Sequence, residues 1–215
     1  MKQSPFGRDV EAAFGFVNEV YGRIALFFMH VTRGFQEHGW EVWPNQYVIT
    51  TAVTTFEDPT WWYYRFVGRA YVKSGGSPSA APLKVLLIGA RLAVDEKEFE
   101  PTLHCIALTG SKPFTKDGWN YEWYLDTVHE LDSREPGELN IRREELRDAT
   151  LMVGEPTAST ARKWSPMERL EAFAIPLARL DSDEDVERLV ISPAVALAEE
   201  GLEAAKHHLA GQSPA

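Results

Sequence analysis

The chain reads as an α+β protein: a long N-terminal helix, a mostly antiparallel sheet of four to five strands, and a helical C-terminal segment. Three observations carry that reading. Apolar residues recur at helical spacing from Asp9 to His38, strand-forming residues dominate from Gln46 to Thr109, and helix-capping patterns recur after Asn140. Strand runs grouped between helix runs argue against alternating βαβ units. The 215 residues suit one domain, with a core over about 9–131 and the helical segment over about 139–211.

In the first element, Val10, Phe14, Val17, Tyr21, Ile24, Phe28, Val31 and Phe35 recur at alternating steps of three and four, so they form one stripe. Phe16, Val20 and Phe27 widen it. Gly39 stands just past the last periodic residue, as a helix stop. The interior glycines 15, 22 and 34 each cost about 1 kcal/mol relative to alanine. A helix keeps them most readily where another element packs close. The helix is therefore expected to lie across a sheet or against a second copy of itself.

After Pro44 the character changes. Gln46 to Phe56 is rich in Val, Ile and Thr, and Glu57-Asp58-Pro59 is a turn signal. Trp61 to Lys73 alternates, with Trp62, Tyr64, Phe66, Ala70 and Val72 on one face and Tyr63, Arg65, Val67, Arg69, Tyr71 and Lys73 on the other. Ser74 to Pro82 is a Gly/Ser/Pro/Ala connection, and Leu83 to Val94 is a central strand, apolar on both faces. A hairpin about that connection sets Gly68 opposite Gly89, a gap that marks a bulge or a close approach. Leu103 to Thr109 is a further short strand. Trp119 to Leu131 fits strand or helix, and its aromatic density favours strand.

Asn140 is placed as the cap of a helix over Ile141 to Met152. Ser165-Pro166-Met167-Glu168 has the form of a capping box, opening a helix that ends near Ile175 before Pro176. Ser182 starts a short helix to Val190, and Ser192-Pro193 opens a last helix to Leu209, closed by Gly211.

Composition narrows the function classes. The net charge of −10 opposes broad binding to phosphate backbones, so nucleic acid is disfavoured as a partner. The longest fully apolar run is Ile24 to Met29, far short of the roughly 20 residues of a membrane helix. No signal pattern opens the chain, and its lone cysteine, Cys105, forms no internal disulfide, which together indicate a cytoplasmic protein.

Tyr63, Arg65, Arg69, Tyr71 and Lys73, with Trp61, are the candidate ligand or partner face, because guanidinium groups between aromatic rings suit an anion or a stacked base. The competing expectation pairs these cations across the sheet with Glu122, Asp126 and Glu130. Asp95-Glu96-Lys97, with Asp58, is a weak candidate for metal-dependent phosphoester hydrolysis, which needs carboxylates on adjoining strands. His104 and Cys105, adjacent on a strand, point to opposite faces and cannot act as a pair. Glu199, Glu203 and His207 share a helical face, more in the manner of surface charges than of a metal site. No G-x-S-x-G, Walker A or G-x-G-x-x-G sequence occurs. The chain is thus expected to be a non-enzymatic interaction protein without a cofactor, holding a protein partner or a second copy of itself. The alternatives are a metal-dependent hydrolase, or a sensor of a small anion built on Arg65, Arg69 and the paired glycines.

Overall fold

The computed structural model describes residues 5–43, 49–51, 66–74, 82–92, 100–115, 127–128, 130–131, 133 and 137–211. The opening helix, α1, spans Pro5–Glu37. It ends where expected: Gly39 takes φ 74°, a left-handed conformation that costs glycine nothing. Eight strands follow among the described residues: β1 Trp40–Trp43, β2 Ile49–Thr51, β3 Phe66–Lys73, β4 Lys84–Arg91, β5 Thr102–Gly110, β6 Leu139–Glu145, β7 Thr150–Pro156 and β8 Met167–Pro176.

They form one antiparallel sheet in the order β1-β3-β4-β5-β8-β7-β6, with β2 also pairing β3. β1 and β2 lie end to end along one edge of β3, against residues 70–73 and 66–68. The last three strands form a meander whose final strand, β8, returns beside β5, which is a Greek-key order. Behind β8 come α2 (Asp183–Val186), a π-helical turn (Glu187–Ile191), α3 (Ser192–Glu199) and α4 (Leu202–Leu209). Ser182 caps α2 by accepting from the Asp185 amide at 3.1 Å.

The sheet is covered on both faces. Phe28, Val31 and Phe35 of α1 and Leu189, Val190, Ile191, Ala194 and Leu197 of the C-terminal helices pack on Val67, Tyr71, Leu86, Ile88, Leu103, Cys105, Phe173 and Ile175. On the opposite face, Phe114, Val128, Leu131 and Trp164 cover Val72, Val85, Leu87, Ile106, Leu108 and Leu170. Each such fully buried apolar side chain contributes about 1.5–3 kcal/mol. β4 is buried from Val85 to Ala90, as its two-sided apolar sequence predicts. Gly34 lets α1 sit tight on the π-helical turn: a Cβ there would lie 2.4 Å from Cδ1 of Ile191.

Several expectations are corrected. Among the described residues the strand count is eight rather than four or five, and β1 begins before Pro44. Ile141 to Met152 is not a helix but the β6–β7 hairpin, and the residues after Ser165-Pro166 form β8. The capping-box residues instead end a turn, in which the Pro166 carbonyl accepts from the Ser111 amide at 3.0 Å. Sheet pairing outweighs the helix propensity of Arg, Glu, Leu and Ala in both segments. The end of the 119–131 stretch is helical at 127–128 and 130–131, and its earlier residues lie outside the described ones. The last helix breaks at Gly201, φ 101°, into α3 and α4.

Candidate functional site

The candidate face of β3 meets α1. Alternation along the strand sends Val67, Arg69 and Tyr71 toward the helix, and there they join a polar cluster inside the core. Arg69 Nη1 donates to Thr32 Oγ1 at 3.0 Å, and Thr32 Oγ1 and the Tyr71 hydroxyl lie 2.9 Å apart in a hydrogen bond. The Tyr71 ring stands edge-on to Phe35, with centroids 4.8 Å apart. Burial pushes the Tyr71 phenol up to about 12, partly offset by the Thr32 hydrogen bond and the neighbouring Arg69 charge.

Lys73, at the end of the same strand, ties β3 to β1, to α3 and to the turn that follows α1. Its Nζ donates to the His38 carbonyl at 2.9 Å and to the Glu199 carboxylate on α3, and it stands 5.6 Å from the centroid of Trp40. The Trp40 indole N–H donates to the same carboxylate at 3.1 Å. The Lys73 hydrogen bond holds the Glu199 carboxyl below its ordinary range. Arg69 and Tyr71 therefore bond inward, to Thr32 of α1, and Lys73 is engaged at the surface by His38 and by Glu199 of α3. Of the three carboxylates expected to pair across the sheet, Glu130 accepts from the amides of Glu138 and Leu139 at 2.8 and 3.2 Å, at the start of β6. Trp61, Tyr63, Arg65, Glu122 and Asp126 lie outside the described residues.

Gly68 and Gly89 do face each other across β3 and β4. The row continues through His104 and Ala174, so small residues flank a fully buried imidazole. This row belongs to the face of Ala70, Leu87 and Ile106. Arg69 therefore lies on the face opposite to this glycine row. Cys105 points the other way from His104, into the α1 side of the core, where burial raises its thiol pKa.

Asp58, Asp95, Glu96 and Lys97 lie outside the described residues. Among the described residues no group of three or more His, Cys, Asp or Glu side chains is placed to hold a metal. The turn at Gly201 takes Glu199 out of helical register with Glu203 and His207.

The outward surface of α1 is not among the candidate site residues, although the width of its apolar stripe already allows for a second copy against this helix. Leu26 and Met29 are each 66% exposed and Phe16 is 68% exposed, although Phe28, Val31 and Phe35 of the same helix are buried. The signal was the run Ile24-Ala25-Leu26-Phe27-Phe28-Met29: six consecutive apolar residues exceed one face of a helix. No helix among the described residues is long and apolar enough to cross a membrane. Comparison with protein-family models, curated proteins and solved structures returns no match to this chain.

Proposed function

We propose that the protein is a non-enzymatic protein-interaction module, and that the outward face of α1 is where it docks. The observation that supports this reading is the exposure of Leu26, Met29 and Phe16 on a helix already anchored through its other side. Large exposed apolar side chains grouped on one element are characteristic of partner surfaces. The inward bonding of Arg69 and Tyr71, and the pairing of Lys73 with Glu199, favour α1 over the β3 cations as the docking element.

A photo-crosslinking residue in place of Met29 tests the reading. It should yield discrete, saturable protein adducts, whereas the same group at Arg142, on the charged edge strand β6, should yield none. Equal, unsaturable labelling from both positions would count against it.

A further inference from the structure

Resting on that reading, we infer that the partner of α1 presents a basic amphipathic segment, with its apolar side on Leu26 and Met29 and its lysines or arginines on the acidic turn beside them. The two halves of such a surface are neighbours. At spacings of three and four residues, Leu26 adjoins both Met29 and His30 along the helix. His30 in turn lies 3.7 Å from Asp183, the first residue of α2. Glu184 and Asp185 follow it, with Asp181 and Glu187 on either side, and all of these except Asp185 are exposed. This acidic margin is fixed relative to the apolar strip. Val186, Leu189, Val190 and Ile191 pack into the same core as Phe28, Val31 and Phe35, and Ile191 closes on Gly34. A partner therefore meets a preformed surface and loses little affinity to ordering it.

Charge selects the partner. Along α1, Arg8, Arg23 and Arg33 stand against Asp9, Glu11, Glu19 and Glu37, a net −1, and residues 181–188 hold five carboxylates and Arg188, a net −4. The nearby guanidiniums are already matched: Arg23 with Glu19 at 2.7 Å, Arg33 with Glu37 at 3.5 Å, Arg188 with Asp185 at 2.7 Å and Arg179 with Asp148 at 3.0 Å. Among the described residues no lysine or arginine pairs with Asp181, Asp183, Glu184 or Glu187. A second copy meeting this surface would set −5 against −5, and an acidic segment would also be repelled. A basic segment is drawn in at a distance and held in register, by an attraction that salt weakens. Apolar contact alone would accept any of these partners, and the acidic margin accepts one.

The test titrates two labelled helical peptides into the full chain by fluorescence anisotropy. Both carry the same leucine stripe, with lysine at the polar positions of one and glutamate at those of the other. The lysine peptide should bind saturably, more weakly as salt is raised, and should be captured by a photo-crosslinking residue in place of Met29. The glutamate peptide should not bind. Asp183→Asn combined with Glu184→Gln should weaken the lysine peptide about tenfold, and Leu26→Gln should weaken it as well. Glu168→Gln combined with Glu203→Gln removes the same charge from exposed positions on β8 and α4, and should leave binding unchanged. All four carboxylates are exposed, so far-UV circular dichroism should be the same in both double variants. Equal binding of the two peptides, equal weakening by the two double variants, or no binding of either peptide overturns the basic partner. If position 29 then crosslinks a second copy, or a protein without a basic amphipathic segment, the docking reading stands without this inference; if it crosslinks nothing, both fall.

Discussion

Tyr71 shows what the polar cluster beneath α1 does. Its phenol is neutral and buried, with a pKa moved from 10.0 to about 12. Unfolding returns it to the ordinary value, so between those two pH values the unfolded state has lost a proton that the folded state keeps. Stability from this group is complete below about pH 10 and drains away as pH rises toward 12. Ultraviolet titration should find a tyrosine ionising late and together with unfolding, and Tyr71→Phe should flatten stability across that window. Glu199 works in the opposite sense. Its carboxyl is held below its ordinary 4.5, so its pairing is fully present above that value and is lost as pH falls through the depressed one. Lys73→Met should weaken the acid dependence of urea unfolding. At neutral pH it should cost no more than about 1 kcal/mol, because both partners remain substantially solvated. Gly34→Ala sets two effects against each other. Alanine gains about 1 kcal/mol of helix propensity, while overpacking against Ile191 costs about 1–3 kcal/mol. Crowding should win, and Ile191→Val in the same chain should recover part of the loss in thermal melts.

At the scale of elements, β8 occupies an interior place, bonded to β5 on one side and β7 on the other. Its amides should therefore exchange with solvent as slowly as those of β4, and those of β6 far faster. Exchange of residues 168–175 at edge-strand rates would contradict the topology. Phe173→Ala, in the same strand, should cost about 3–5 kcal/mol by chemical denaturation. The contrast between β4 and β8 explains what could be read in advance. β4 is rich in Val, Leu and Ile, and its two-sided apolarity points to strand by chemistry alone; the Gly68–Gly89 pairing followed from its hairpin with β3. The first six residues of β8, Met167 to Ala172, are Met, Glu, Arg, Leu and Ala, all good helix formers. Only the alternation of Leu170, Ala172 and Ala174 against Phe173 and Ile175 points to strand. β6, with Arg142-Arg143-Glu144-Glu145, has helix-forming composition because an edge strand exposes those side chains. At the candidate site, the sequence placed Arg69, Tyr71 and Lys73 on one face. That α1 and Glu199 would occupy that face depends on how distant segments meet, which local pattern does not encode.

Across the described residues, α1 and the C-terminal helices meet over one face of the sheet and share a core with it. His30 of α1 lies 3.7 Å from Asp183, Lys73 reaches α3, Lys84 Nζ donates to the Ala198 carbonyl at 2.7 Å, and Lys206 pairs with Glu144 of β6 at 2.6 Å. The Glu144 contact holds the Lys206 ammonium above its ordinary pKa, so on the alkaline side that link persists past neutral pH and is lost only when the ammonium deprotonates. The Greek-key return of β8 has a consequence for biosynthesis. The flank of β5 stays open until residues well over fifty positions downstream have left the ribosome, and apart from His104 that strand is apolar from Leu103 to Leu108. A chain stalled at Thr157 exposes there a row of unsatisfied amides and carbonyls, ready to recruit a neighbouring nascent chain. Translation arrest at that point should send the product into the pellet, and supplying the missing 158–211 stretch in trans should return it to solution.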